Sequence, residues 1–274
     1  MLDAGASGSA PGTVRICLIL GSLFCECASA DSGHGVNAMG LRKWIGLKKP
    51  KDKPLRPPMN ALLWRRAEES AADFVDRHLQ RAILFERREP LCQFVIDEAP
   101  KDGLLLEFGV FKGASINRLA RFLRGAGDQR KIWGFDAFQG LQEHWHGIGY
   151  HRSRNEFNRG GALPKVADNV ELVPGWIDET LPIFLDHHPG PIALAHIDTD
   201  TYKPAKSILS LCKSRLQQGS LILFDELFAF PGWENDEYRA LSEELPEDAY
   251  EWIAFGGQQG LLRITRQVMA HPVK

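Results

Sequence analysis

From Gly103 onward, short apolar runs alternate with stretches in which apolar residues recur every three or four positions. The short runs predict strands at Leu104 to Val110, Lys131 to Phe135, Val170 to Val173, Ile192 to Ile197, Ser220 to Phe224, Tyr250 to Phe255 and Leu261 to Thr265. Between them, Ile116, Leu119, Ala120 and Leu123 make one helical stripe, and Ala205, Ile208, Leu209, Cys212 and Leu216 make another. Both stripes read as core packing. Such alternation predicts an α/β fold: a mostly parallel, seven-stranded sheet with helices on both faces. The last two strands, separated by GGQQG, read as a hairpin that makes the C-terminal strand antiparallel.

Upstream of Gly103 the period is helical, first from about Met59 through Phe74 to Ala82, then again from Pro90, a favoured first-turn residue. Residues 59–102 are therefore expected to form N-terminal helices on a catalytic core at 103–266, all within one domain over 59–274. The stretch from Leu47 to Pro58 is basic, proline-rich and without apolar period, so 1–58 is expected to be an extension without fixed structure. Within it, Ile16 to Cys25 is apolar and precedes Ala28-Ser29-Ala30, the shape of a secretory signal. Arg15 is the only basic residue of the preceding region, however, and Met39 opens MGLRKWIGL as an alternative start. A cytoplasmic protein is the expectation, with 1–38 as upstream sequence. The apolar run is too short to span a bilayer, and no stable membrane association is expected.

Composition narrows the classes. With 33 Lys and Arg against 35 Asp and Glu, no broad cationic surface is on offer for phosphates, and a nucleic-acid partner is disfavoured. Five scattered cysteines do not make a disulfide framework. A homo-oligomer is left open.

Two clusters carry candidate chemistry. In a sheet of this kind, ligands bind outside the carboxyl ends of the strands, and the first strand-to-helix turn must bring its backbone close. Gly109 and Gly113 supply that turn in EFGVFKGAS, which lacks the third glycine of a dinucleotide fingerprint. Asp136, ending the second strand in GFDAF, is placed for two ribose hydroxyls. Further on, HIDTD ends one strand with Asp198 and Asp200, and FDEL ends the next with Asp225 and Glu226. Neighbouring parallel strands put these tips about 5 Å apart. Carboxylates that close repel, and no Lys or Arg lies inside either motif. A hard divalent cation, Mg²⁺, held by Asp198, Asp225 and Glu226 would balance them. The competing reading makes these acids structural, with Asp200 as a cap for the helix from Tyr202. His196 reads as a hydrogen-bonded core histidine, and His144, His146 and His151 as solvated residues of the long loop from Glu143 to Pro164.

The blocks LEFGVFKGAS, GFDAFQGLQEHW, ELVPGWIDETLPIFL, HIDTDTYKPAKSIL, GSLILFDELFAFPGWENDEYRAL and YEWIAFGGQQGLLRI, in this order, resemble the class I S-adenosylmethionine-dependent methyltransferases related to macrocin O-methyltransferase. The resemblance spans about Leu104 to Thr265 and implies a Rossmann-like methyltransferase fold. It implies that Glu107, Gly109, Gly113 and Ser115 line the methionine end of S-adenosylmethionine, that Asp136 holds the ribose, and that Gly175 and Trp176 border the adenine. Asp198 would be the catalytic carboxylate that ligates the metal and takes a hydroxyl proton. Glu226 departs from the Asp often found at its place, and Phe111 and Lys112 replace small residues; a solvated lysine is expected at 112. The implied activity is metal-assisted O-methylation of a hydroxylated small molecule, sugar-like or natural-product-like, with 143–164 closing over it. Other readings are a metal-independent methyltransferase, a non-catalytic S-adenosylmethionine-binding module, and a nicotinamide oxidoreductase.

Overall fold

The computed structural model describes residues 58–145 and 155–268. The signal-like run, Met39, the basic linker up to residue 57, His146 and His151 lie outside the described residues. Among the described residues no helix is long and apolar enough to cross a membrane.

Eight strands form one sheet: β1 (Ile83–Leu84), β2 (Leu104–Phe108), β3 (Ile132–Asp136), β4 (Val170–Pro174), β5 (Ile192–Ile197), β6 (Leu216–Phe224), β7 (Tyr250–Gly256) and β8 (Gln259–Ile264). Their spatial order is β1-β7-β8-β6-β5-β2-β3-β4. Only β8 runs antiparallel to its neighbours, β6 and β7. The seven strands expected from the sequence are thus joined by an eighth. β1 has two residues, both exposed, pairs in parallel with β7, and offers no alternation to read.

Six helices cover the sheet: α1 (Pro58–Asp76), α2 (Arg88–Glu98), α3 (Ala114–Gly125), α4 (Ile177–His187), α5 (Tyr202–Cys212) and α6 (Glu237–Glu244). Strand alternation sorts the core into two clusters. Leu105, Leu194 and Leu223 pack with Leu91 and Val95 of α2 and with Ile116 and Leu119 of α3. Leu106, Ala195 and Phe224 pack on the opposite face with apolar residues of α1, α4, α5 and α6. Each such fully buried large side chain contributes about 1.5–3 kcal/mol. Leu216, expected on the helical stripe, instead opens β6. α5 ends at Cys212, a single 3-10 turn follows over Lys213–Arg215, and β6 then runs through the exposed Gln217 and Gln218.

The chain proceeds outward from β2 to β3 and β4, then crosses back so that β5 lies on the other side of β2. The reversal puts the carboxyl ends of β2 and β5 at a topological switch point, where a crevice opens in sheets of this kind.

Candidate active site

The glycine turn after β2 is built by close approach between main chains. Gly109 has φ +92°, and a Cβ there would lie 1.8 Å from the carbonyl oxygen of Asp198. The glycine is required, and its nearest neighbour is the acidic loop after β5. Gly113, also left-handed at φ +79°, is the N-cap residue of α3. Asp136 stitches the turn together. Its Oδ2 accepts the Val110 and Phe111 N–H groups at 2.9 and 2.7 Å, and its Oδ1 accepts that of Phe138 at 2.6 Å. A carboxylate offers about four acceptor sites, which leaves one for a ligand hydroxyl on Oδ1.

A polar row crosses the sheet on the face covered by α2 and α3. Glu107 and His196 are direct partners in the parallel register of β2 and β5. Ser115 Oγ donates to Glu107 Oε1 at 2.7 Å, and His196 Nδ1 donates to Glu107 Oε2 at 2.9 Å. On its other side, His196 Nε2 lies 3.6 Å from Asp225 Oδ1. Gln259, the first residue of β8, donates to Asp225 Oδ1, and Arg88, the first residue of α2, donates to Oδ2 at 3.2 Å. Burial opposes a charge on His196, but Glu107 and Asp225 on either side outweigh it and raise its pKa to about 10. The two flanking carboxylates thus favour the charged imidazole. Burial also opposes the Asp225 carboxylate, yet His196, Arg88 and Gln259 hold its pKa below the ordinary value.

The other acids behave oppositely. Burial, then Asp225, Glu226 and Asp200, push the pKa of Asp198 well up; burial, then Asp225 and Asp200, do the same to Glu226. Among the described residues two groups bring ligand atoms within 4.8 Å of one another: Asp198 with Asp200 and Glu226, and Asp198 with His196 and Asp225. The first is an all-oxygen set, and Glu226 Oε2 is buried without a hydrogen-bond partner, so the residues fit a hard cation. The second adds the imidazole nitrogen of His196 to two carboxylates, a mixed donor set less suited to a hard cation. Asp200 is therefore not the helix cap read from the sequence. The N-cap position of α5 falls on Thr201, while Asp200, left-handed at φ +62°, turns back into the acidic cluster.

A cavity of about 250 Å³ opens over these features. Of the residues singled out in the sequence, Gly109, Asp136, Trp176, Asp198, Asp225 and Glu226 line it, together with Asp200. Glu107 and Ser115 lie behind it in the polar row; Gly113 starts α3 and Gly175 precedes Trp176, neither on the cavity wall. Phe111 and Phe157, both left-handed, pack edge to face at 5.1 Å and add an aromatic flank. Lys112 is exposed, its ammonium 4.9 Å from the centre of the Phe111 ring. Arg88 and Gln259 gave no sequence signal as partners of Asp225, because they lie 137 and 34 residues away in the chain.

Residues 106–227, which contain the glycine turn and all four acids, match the family described as a methyltransferase domain. This stretch is similar to a methyltransferase domain. Its similarity extends to the 8-demethyl-8-(2,3-dimethoxy-alpha-L-rhamnosyl)-tetracenomycin-C 4'-O-methyltransferase of Streptomyces olivaceus, at 28% identity over 156 residues. That match takes in 49% of this chain and 58% of the relative. Among solved structures, the calicheamicin methyltransferase CalS11 superposes with a TM-score of 0.51 at 24% identity, over 85% of this chain and 99% of that one. The O-methyltransferase NovP gives 0.51 at 21% identity, over 65% and 80%. Both share the fold of the methyltransferase domain.

Proposed function

We propose that the protein is an S-adenosylmethionine-dependent O-methyltransferase acting on a hydroxyl of a sugar-like or natural-product-like small molecule, assisted by a divalent cation. The observation that carries this is Asp198, on the cavity wall, in main-chain contact with the glycine turn on one side and clustered with Asp200 and Glu226 on the other. The O-methyltransferase relative from Streptomyces olivaceus supports the substrate class, since its name specifies a rhamnosyl group.

S-adenosylmethionine, when bound, supplies an electrophilic methyl group on a sulfonium. Gly109, Asp136 and Trp176 line the wall proposed to hold it, with the open acceptor site on Asp136 Oδ1 for a ribose hydroxyl. Glu107, Gly113, Ser115 and Gly175 act behind that wall. Asp198, on the cavity wall, is placed to take the acceptor hydroxyl's proton as the oxygen bonds to the methyl carbon and the carbon–sulfur bond breaks. Phe111 and Phe157 give the cavity an aromatic flank. A bound Mg²⁺ would lower the hydroxyl pKa; Asp198, Asp200 and Glu226 would hold it, with Asp225 beside them.

A metal-independent variant of the same reaction has one observation in its favour: Asp225 is already balanced by Arg88 and His196. Chelator treatment distinguishes the two, because undiminished turnover removes the cation. Assaying Asp198→Asn for S-adenosylhomocysteine binding and for methyl transfer tests the main reading. Retained binding with turnover lost supports it, and unchanged turnover removes Asp198 from the chemistry.

A further inference from the structure

The acidic loop after β5 leaves the sheet through a short series of accounted main-chain bonds. The Asp198 N–H donates to Phe108 O at 2.9 Å, continuing the β2–β5 ladder, and the Asp225 N–H donates to Ile197 O at 3.0 Å, continuing β5–β6. Thr199 is the first residue beyond the ladder. Its N–H donates at 3.1 Å to Oε1 of Glu237, in the first turn of α6. Immediately after it the chain turns left-handed at Asp200, and the Thr201 N–H closes the turn on Thr199 O at 2.7 Å.

Glu237 is an unusual residue for its place. It is fully buried, on one helical stripe with Ala240 and Leu241, where an apolar side chain would pack. Among the described residues it makes no ion pair, and its Oε2 is buried with no hydrogen-bond partner. A first-turn acid that served only the helix dipole would sit in solvent. A buried acid with half of its capacity unused is a poor choice for stability alone. What it does accomplish is to take the one amide that leads into a strained, non-glycine turn.

We infer that Glu237 is a positioning residue of this site, holding the Thr199–Asp200 turn in the shape that brings the Asp200 carboxylate among those of Asp198 and Glu226. The inference rests on the cation-assisted reading proposed above for the purpose the turn serves, but the anchoring itself is independent of it. Glu237 is not among the residues that line the cavity; it acts through the Thr199 amide.

The test compares Glu237→Gln, whose amide oxygen can still accept the Thr199 N–H, with Glu237→Met, which keeps the volume and removes the acceptor. Three quantities are read on the full chain: hydrogen exchange at the Thr199 amide, Mn²⁺ binding and S-adenosylhomocysteine binding by calorimetry. Glu237→Met is expected to speed Thr199 exchange and weaken Mn²⁺ binding by about tenfold each, the scale of one lost buried hydrogen bond. S-adenosylhomocysteine affinity stays unchanged, and Glu237→Gln restores both other readouts. Unaltered Thr199 exchange in Glu237→Met overturns the inference, as does a Glu237→Gln protein no better than Glu237→Met. Should the wild-type chain bind no Mn²⁺, the cation reading fails by itself; a faster Thr199 amide in Glu237→Met still supports the anchoring, and an unchanged one overturns it.

Discussion

The main chain of Gly109 lies so close to that of Asp198 that the glycine's missing Cβ would stand 1.8 Å from the Asp198 carbonyl oxygen. The turn proposed to hold the methyl donor and the acid proposed to receive the proton are therefore fixed to each other by backbone contact across the β2–β5 switch point. Gly109→Ala must move one of them and adopt φ near +92° as well. Left-handed strain and overpacking together are expected to cost about 3 kcal/mol or more. Gly127→Ala, at φ +75° with nothing near its Cβ, is the control and should cost only about 1–2 kcal/mol. Urea unfolding of the two variants compares these costs, and equal destabilisation would show that the approach to Asp198 is not tight.

His196 is expected to be a structural cation rather than a base. Its Nδ1 holds Glu107 at 2.9 Å and both residues are fully buried, so His196→Gln leaves Glu107 and Asp225 without their shared positive neighbour. Breaking a buried charged pair from one side costs about 3–5 kcal/mol. Denaturant unfolding near neutral pH reads this directly, and a loss below that of an ordinary surface substitution would mean the imidazole is not charged.

Stability of the cation-free protein is expected to fall as pH rises above the ordinary carboxylate range, where the opposite contribution of the depressed Asp225 is already complete. Asp198 and Glu226 have folded pKa values raised above their ordinary 3.8 and 4.5, so the folded state holds protons that the unfolded chain releases. The loss begins in the ordinary carboxylate range and continues until pH passes their raised values. His196 acts in the same direction: its contribution is complete below 6.5 and disappears as pH rises through about 10. Saturating Mg²⁺ should flatten the carboxylate part of this slope. Melting curves across pH with and without Mg²⁺ test it, and a stability that climbs with pH above the ordinary carboxylate range in chelator would contradict the assignment.

Arg88 competes with a cation for the same charge. Its NH2 group lies 3.2 Å from Asp225 Oδ2, while its side chain remains 43% exposed, so the pair is partly screened. Arg88→Gln is expected to tighten Mn²⁺ binding by about threefold to tenfold by removing a positive charge beside the acids. Weaker binding in the variant would instead make Arg88 a support for the site.

The parts of this fold that were legible in the sequence are those where burial repeats. The five residues of β2 and the six of β5 stand out because apolar side chains fill both faces of the central strands. β1 and the first half of β6 did not, because Ile83 and Leu84 are exposed and Gln217 and Gln218 interrupt the run. In the site, Asp198, Asp225 and Glu226 were visible as acids at adjacent strand ends. Asp200 was misjudged because a positive φ, which decides where its carboxylate points, leaves no trace in an Asp. Arg88 and Gln259 become partners of Asp225 only through the packing of α2 and β8. Glu237 did carry a signal: an acid three and four residues before Ala240 and Leu241 stands on the apolar stripe of its helix.

Calorimetric titration with S-adenosylhomocysteine, with NAD as the competitor class, tests the central claim most directly. Saturable one-to-one binding of S-adenosylhomocysteine, with no heat from NAD, is the expected result. Tight NAD binding with no binding of S-adenosylhomocysteine would contradict the account.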